Sequence, residues 1–182
     1  TVWDNAMLQA FADTGTLGDD YLIGTNGSES LSGLAGNDFI NAYDGNDTID
    51  GGPGNDTLFG GLGNDTYVFG RGAGSDLVGD VGGTTDKIQL APGVLPGDVT
   101  LLRNGTELLL SLDQSSTQLR MNNATAIEQI TFDGGTIWDA AAIASQTFVG
   151  AVNSLTGTAG DDTFVVDNTQ DTVTEGVSQG TD

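Results

Sequence analysis

The chain contains neither cysteine nor histidine, and only four of its 182 residues are basic. The missing residue types exclude disulfide bonds, thiolate chemistry, most zinc sites and every Ser-His or Cys-His nucleophile arrangement. No apolar run is long enough to cross a membrane as a helix. The formal net charge of -22 repels nucleic acid and anionic membranes. We therefore expect no nucleic-acid partner and no membrane insertion by this segment.

Acidity on this scale has two interpretations. The 26 acidic residues belong either to a solvated, disordered chain or to a folded chain in which divalent cations neutralise them. The spacing of the acids decides between the two.

A nine-residue repeat begins at Gly15 and runs through six copies: GTLGDDYLI, GTNGSESLS, GLAGNDFIN, AYDGNDTID, GGPGNDTLF and GGLGNDTYV. The fourth position is always glycine, the sixth is always acidic, and the eighth is always apolar or aromatic. The acidic column is Asp20, Glu29, Asp38, Asp47, Asp56 and Asp65, and the apolar column is Leu22, Leu31, Ile40, Ile49, Leu58 and Tyr67.

Each column has a physical role. Glycine permits the positive-φ conformations of a tight turn, and carboxylate and carbonyl oxygens together suit a hard cation such as calcium. The eighth residue lies on a short strand and points inward, while its two neighbours point outward. Two nonapeptides therefore form one turn of a coil with a thin sheet on each side.

In such a coil the acids stack along two edges. One edge carries Asp20, Asp38 and Asp56, and the other carries Glu29, Asp47 and Asp65. Stacked carboxylates about 5 Å apart, the spacing of adjacent strands, repel one another unless a cation lies between them. Two alternatives do not involve metal. The Gly-Asn-Asp runs are turn-forming and their acids are merely solvated, or the chain is a metal-free parallel β-helix, whose turns are usually longer than two nonapeptides.

The nonapeptides resemble the repeats-in-toxin (RTX) family, whose consensus is GGxGxDxUx. The resemblance covers residues 15–76 and implies an all-β fold, a right-handed parallel β-roll with two nonapeptides per turn. It implies about four to six calcium ions, each held by acidic side chains and loop carbonyls of two loops on one edge. It also implies a larger parent polypeptide that leaves the cell through a type I secretion apparatus and folds outside it or at the cell surface.

The implied ligands include the six acids of the repeats. Asp76 joins them as the last rung above Asp56, in a segment that resembles the YVFGRGxGxD end of such arrays, and Asp162 lies in a later segment. The loop residues expected to contribute are Gly18, Gly33, Gly36, Asn37, Gly45, Asn46, Gly51, Gly54, Asn55, Gly60, Gly63 and Asn64. The chain departs from the consensus at Glu29, at Ala42, and at the second-position residues Thr16, Thr25, Leu34 and Tyr43. We expect the first three repeats to bind calcium more weakly than the last three.

Residues 84–149 differ in character from the repeats. Strands are expected at 87–90, 99–103, 107–112, 118–121 and 127–132, with a hairpin at Asn104-Gly105 and a short helix over 140–145 capped by Asp139. The stretch resembles the small β-rich domain that commonly follows RTX arrays. We expect it to cap the open end of the roll; recognition of a partner is the alternative.

Two stretches of sequence recur. Residues 1–4 (TVWD) return as 136–139 (TIWD), and residues 15–20 (GTLGDD) return as 157–162 (GTAGDD). We therefore expect an excerpt of a longer protein with alternating rolls and caps. Residues 1–14 would end a preceding cap, 15–83 form the calcium-binding roll, 84–149 form the capping domain, and 150–182 start a second, degenerate repeat segment.

Together these expectations describe a non-enzymatic, calcium-dependent folding module of a large secreted bacterial RTX protein. Any catalytic domain would lie outside this segment. Two alternatives stay open at this point, because a repeat array does not determine the activity of its parent. The segment is either an extension or adhesion segment of a surface adhesin, or an accessory C-terminal module of a secreted enzyme such as a lipase, protease or epimerase.

Overall fold

The structure is a computed structural model that describes residues 13–104, 106–112, 117–123, 125–149, 154–156 and 172–174. Short strands dominate it: β1 Tyr21–Ile23, β2 Ser30–Ser32, β3 Phe39–Asn41, β4 Thr48–Asp50, β5 Thr57–Phe59, β6 Thr66–Phe69, β7 Ser75–Gly79, β8 Lys87–Leu90, β9 Val99–Asn104, β10 Glu107–Leu112, β11 Gln118–Met121, β12 Gln129–Thr131, β13 Ile137–Asp139, β14 Thr147–Val149, β15 Ser154–Thr156 and β16 Thr172–Thr174. Among the described residues there is one short α-helix, α1, at Ala140–Gln146, and one 3-10 turn at Pro96–Asp98.

The strands of the repeats alternate between two sheets. The first sheet has the order β1-β3-β5-β7-β11-β10-β9-β14, and the second has the order β13-β12-β8-β6-β4-β2. Every pairing among β1 to β8 is parallel, as it must be when each turn of a coil adds one strand to each sheet. The expected β-roll is confirmed, with about four turns.

The eighth residue of each repeat points into the space between the sheets. These six side chains are at most 8% exposed, and Val78 and Ile88 continue the column on β7 and β8. Their neighbours at positions seven and nine are intermediate or exposed. The core of the roll is therefore narrow. Each nonapeptide contributes one large side chain to it, and the fourth also buries the small side chain of Ala42.

The last turns are longer than the others. Ile40 pairs with Leu58, 18 residues on, but hydrogen bonds between the later rungs span 20 and 21 residues. The extra residues form surface turns. Arg71 lies in the first of them, where it donates to the carbonyl oxygen of Gly93 at 2.9 Å and pairs with Asp98 at 2.7 Å. These contacts tie the turn to the loop that follows β8.

The β-rich region continues both sheets of the roll. β11 pairs in parallel with β7, and β12 pairs in parallel with β8, so each sheet gains a strand at its open end. The boundary expected near residue 84 stays a prediction, since the second sheet runs across it. The expected 127–132 strand is shorter, Gln129–Thr131, and the antiparallel β13 beside it was not predicted. The helix cap is confirmed, because the Ala142 N–H donates to Asp139 Oδ1 at 2.9 Å.

Residues 1–12 and most of 150–182, including Asp162, lie outside the described residues. Within that second range β15 and β16 pair in parallel, with Ser154 opposite Thr172. Their offset equals that of Tyr21 and Phe39 on β1 and β3, which agrees with the expected second repeat segment. None of the described helices combines the length and the apolar character that crossing a membrane requires.

Two non-glycine residues adopt the left-handed backbone conformation. Leu34 and Tyr43 have φ of 73° and 75° at the second position of their repeats, where Gly52 and Gly61 have 88° and 105°. A side chain in this conformation costs about 1–2 kcal/mol. Leu34 is 40% exposed, so its side chain contributes little packing in return.

Replacing Leu34 by Gly should therefore raise the free energy of unfolding by about 0.5–1 kcal/mol, the relieved strain less the extra entropy of glycine in the unfolded chain. Urea unfolding at saturating calcium measures this change. Thr16→Gly is the matched control, because Thr16 has the same repeat position without a positive φ and its hydroxyl bonds the loop. A stabilising Thr16→Gly, or a destabilising Leu34→Gly, would contradict the strain argument.

Candidate metal sites

The acids of the first edge form a hydrogen-bonded ladder. The backbone N–H of Asp20 donates to Oδ1 of Asp38 at 2.8 Å, that of Asp38 donates to Asp56 at 2.8 Å, and that of Asp56 donates to Asp76 at 3.0 Å. Each carboxylate thus accepts an N–H from the turn before it. Asp76 lies on the rung after Asp56, where the sequence placed it.

The second edge has the same ladder, and two acids that the repeat pattern did not assign extend it. Glu29 donates its N–H to Asp47 at 2.7 Å, Asp47 donates to Asp65 at 2.8 Å, and Asp65 donates to Asp86 at 2.7 Å. The Asp86 N–H then donates to the Glu128 carboxylate at 2.7 Å. Sequence reasoning missed Asp86 and Glu128 because the nine-residue count is lost after the sixth repeat. The available signal was that Asp86 directly precedes a strand, as the other acids of the column do.

Four aspartates of the ladders each keep one oxygen without a donor. Oδ2 of Asp38, Asp47, Asp56 and Asp65 is buried and has no hydrogen-bond partner among the described residues, and these four residues are at most 2% exposed. A buried polar group left unsatisfied costs about 1–3 kcal/mol, and a charged one costs more. Such an oxygen requires either a proton or a cation.

The backbone of the loops leaves a small space beside these oxygens. A Cβ added to Gly33 would clash with Asp38 Oδ2 and would lie 2.7 Å from the carbonyl oxygen of Gly51 in the next turn. A Cβ on Gly51 would clash in the same way with Asp56 Oδ2. A carboxylate oxygen and a carbonyl oxygen therefore face one space that a side chain at position one would fill. All-oxygen donors of these two kinds are the ligands of calcium, so the residues present fit that ion.

The glycines at position four are where successive loops stack. A Cβ on Gly54 would clash with the carbonyl oxygen of Gly36, and one on Gly63 would clash with that of Gly45. In contrast, a Cβ on Gly18 would meet nothing within 4 Å. The predicted loop glycines therefore let the backbones approach closely, while their role as carbonyl ligands stays a prediction.

The asparagines at position five form a second ladder. The Asn55 N–H donates to Oδ1 of Asn37 at 3.0 Å, and the Asn64 N–H donates to Oδ1 of Asn46 at 2.8 Å. Here the later turn donates to the earlier one, which is the reverse of the aspartate ladder. The side-chain oxygens of these exposed asparagines are thus engaged between turns.

The first two repeats satisfy their carboxylates without an ion. Oδ2 of Asp20 accepts from the Thr16 N–H at 2.6 Å and from its hydroxyl at 2.9 Å. The Glu29 carboxylate likewise accepts from the N–H and the hydroxyl of Thr25. This difference is a physical reason to expect weaker ion binding at these two repeats. The third repeat has the unpartnered oxygen of the later ones at Asp38.

Burial raises the pKa of the ladder carboxyls. It is the largest cause of the rise to about 6 for Asp56 and Asp65 and to about 7 for Asp76 and Asp86. Neighbouring acids add to the rise, while the N–H from the preceding turn opposes it. With a pKa of about 6, Asp56 and Asp65 are mostly ionised at neutral pH. At that pH these two carboxylates are therefore available to bind a cation.

Three acids meet at the end of the second edge. Asp65, Asp80 and Asp86 are all buried, and each offers one carboxylate oxygen within 4.8 Å of the others. The Tyr67 hydroxyl donates to Asp80 Oδ2 at 2.7 Å and accepts from the Gly60 N–H at 2.8 Å. Asp80 belongs to none of the repeat columns, so the sequence pattern did not single it out.

Acid should stabilise the ion-free roll. The raised pKa values of Asp56, Asp76 and Asp86 exceed the ordinary 3.8, so the folded state binds more protons than the unfolded state between about pH 4 and 7. This contribution is fully present below pH 3.8 and is lost as the pH rises through about 7. With a chelator, far-UV circular dichroism should show more β structure near about pH 5 than near about pH 7.5. With calcium the order reverses because protons compete for the carboxylates, and the same pH trend in both conditions would contradict this.

Two known families match the chain. The RTX calcium-binding nonapeptide repeat matches in four copies, at residues 14–49, 23–58, 41–76 and 150–174. The haemolysin-type calcium binding protein related domain matches residues 114–142. No curated protein sequence matches the chain.

A solved structure is also similar: the solution structure of the AlgE6R3 subunit from the Azotobacter vinelandii mannuronan C5-epimerase is 28% identical. The similarity covers 83% of this chain and 94% of that one, with a TM-score of 0.47. The repeat geometry and the two family matches lead to one conclusion. The chain contains calcium-binding nonapeptide repeats of the RTX family at residues 14–76 and 150–174, and a haemolysin-type calcium binding protein related domain at residues 114–142 follows the first of these arrays.

Proposed function

We propose that calcium folds this roll and holds its turns together, and that the segment itself is non-catalytic. The observation that carries the proposal is the set of buried, unpartnered carboxylate oxygens at Asp38, Asp47, Asp56 and Asp65. They lie in repeats whose family binds calcium. Each of these oxygens marks one ion, held with backbone carbonyl oxygens of the stacked loops. Four ions lie within the expected range of about four to six.

The thin core explains why the roll needs the ions. One large buried side chain per nonapeptide is little apolar area against a chain entropy of about 1–2 kcal/mol per residue. A site with a dissociation constant of about 0.1 mM contributes about 1.4 kcal/mol at tenfold excess of calcium, so four sites contribute about 6 kcal/mol. That is comparable with the whole stability of an ordinary domain, about 5–15 kcal/mol.

This dependence of folding on calcium suits a protein that acts outside the cell. In a calcium-poor cytosol the ion term nearly vanishes, and the stacked carboxylates repel one another. The chain would then stay unfolded until it reaches millimolar calcium. This supports a place in a larger secreted protein that a type I secretion apparatus exports, as the RTX resemblance implies.

Removal of calcium from the whole chain tests the proposal. With EDTA, far-UV circular dichroism should lose most of its β signal, and millimolar calcium should restore it. Magnesium should restore little, because it requires a smaller and more strictly octahedral shell. Calorimetry should count the ions. A β-rich spectrum that chelation leaves unchanged, or an equal response to magnesium, would show that the roll does not depend on calcium.

The ladder assignment has its own test. Asp56→Asn should lower calcium affinity by about tenfold or more, because it removes charge from an unpartnered buried oxygen. Glu29→Gln is the matched control and should change affinity by no more than about threefold, since Thr25 already satisfies that side chain. Calcium titration by calorimetry measures both. Equal losses would show that the rungs are assigned wrongly.

A further inference from the structure

The inward column of the first sheet leads to a charged side chain. Its paired residues run through β1, β3, β5, β7, β11 and β10, and all of them are buried: Leu22, Ile40, Leu58, Val78, Met121 and Leu108. On β9 the residue opposite Leu108 is Arg103. Arg103 lies two residues after the buried Leu101, so both are on the inward face of their strand. An arginine thus has a position that the roll otherwise gives to apolar side chains.

The guanidinium of Arg103 lacks a partner for a buried donor. Nε is buried and has no hydrogen-bond acceptor among the described residues. Within the same part of the chain the ion pair present joins Arg71 to Asp98, and no carboxylate pairs with Arg103. Arginine stays charged at any ordinary pH, and a buried donor of a charged group without an acceptor lowers stability. An acceptor from outside the chain would remove this cost.

A cavity of about 300 Å³ lies beside Arg103, between β10, the loop before β12 and α1. Its floor is apolar and consists of the buried Leu108, Ile127 and Ile143. Thr125 and Ala144 also line it and are exposed, so the cavity can be reached from solvent on their side. An apolar cavity of about 150 Å³ holds a benzene molecule. This one therefore has room for an organic molecule of on the order of ten non-hydrogen atoms.

The acids of the chain restrict the charge of the occupant. Glu128 lines the same cavity, and its carboxylate accepts the Asp86 N–H at 2.7 Å. A second negative group on a ligand would be repelled by Glu128, and the net charge of -22 opposes polyanions in general. The cavity therefore fits a molecule with one carboxylate, placed at Arg103, and an uncharged apolar body.

We propose that this cavity binds a small monocarboxylic acid. Its carboxylate pairs with the guanidinium of Arg103, and its apolar body packs on Leu108, Ile127 and Ile143. A carboxylate can accept from Nε and a terminal nitrogen of one guanidinium at once, and apolar walls strengthen such bonds. The inference goes beyond the proposed role of calcium and requires only that the chain is folded. It gives the β-rich region a binding role in addition to capping the roll.

Calorimetric titration of the whole chain with 4-phenylbutyrate, at saturating calcium, tests the site. The neutral analogue 4-phenylbutan-1-ol has the same apolar body without the charge. The acid should bind about tenfold or more tightly than the alcohol, because only the acid forms charge-assisted hydrogen bonds with Arg103. Equal binding of the two, or no binding of the acid, would overturn the inference.

Arg103→Gln assigns the effect to one side chain. This variant should weaken binding of the acid by about tenfold or more and change binding of the alcohol by no more than about twofold, because the apolar walls remain. Arg120→Gln is the matched control. Arg120 is exposed on β11, between the buried Leu119 and Met121, so the same loss of charge there should leave binding of the acid unchanged. Equal weakening by both variants would mean general electrostatics and would overturn the site.

Ala144→Leu tests the location without touching Arg103. Ala144 is exposed on α1, so a larger side chain there should obstruct the cavity and leave the buried residues in place. The acid should bind about tenfold or more weakly to this variant, while far-UV circular dichroism stays that of the wild type. Full binding of the acid to a folded Ala144→Leu chain would place the ligand elsewhere.

The stability of the ligand-free chain gives a readout that a purely structural arginine would not. Arg103→Met keeps an unbranched side chain of similar length and removes the unpartnered donor. Its urea midpoint at saturating calcium should therefore equal or exceed that of the wild type. A lower midpoint would show that Arg103 stabilises the fold by itself, and would contradict its assignment to a ligand.

Discussion

The whole roll depends on how buried carboxylate oxygens that lie one above another are neutralised. Each turn places an acid over the acid of the turn before, and the main chain supplies a donor to only one of its two oxygens. The other oxygen at Asp38, Asp47, Asp56 and Asp65 is buried and has no hydrogen-bond donor among the described residues. The remaining features follow from this constraint. Position-one glycines keep space beside that oxygen at Asp38, Asp56 and Asp65, whereas Ala42 has this position in the repeat of Asp47. The strands are short because loops take most of each repeat, and the core is narrow.

The first two repeats show another way to meet the same constraint. Thr16 and Thr25 replace the second glycine, and their N–H and hydroxyl groups donate to the carboxylates that an ion would otherwise neutralise. Leu34 and Tyr43 replace glycine at the same position but keep the left-handed backbone. Departures from one consensus position thus have different physical consequences. A threonine makes the loop self-sufficient, whereas a leucine or tyrosine keeps the ion-binding loop at the cost of strain.

The sequence predicted the features that recur every nine residues and missed those that depend on the longer turns interrupting the repeat. The inward column, the two acidic edges, Asp76 on its rung and the Asp139 cap all depend on local spacing, and the structure places them as expected. Asp80, Asp86 and Glu128 depend on how two longer turns bring distant residues to one edge. A period of nine holds no information on such insertions. The asparagine ladder was missed for a related reason, because a consensus letter does not tell whether a side chain faces an ion or the next turn.

The two ladders run in opposite directions, and this makes the ends of the roll unequal. The backbone N–H of a buried aspartate donates to the aspartate of the next turn, whereas the backbone N–H of an exposed asparagine donates to the asparagine of the previous turn. If the roll is cut between two turns, the earlier turn loses the acceptor of a buried aspartate N–H. The later turn loses the acceptor of an exposed asparagine N–H, which water can replace. The array therefore has a polarity like that of a filament. At its N-terminal end, threonine hydroxyls satisfy the carboxylates. At its C-terminal end on the second edge, the last aspartate N–H needs an acceptor from the region that follows, and Glu128 provides it.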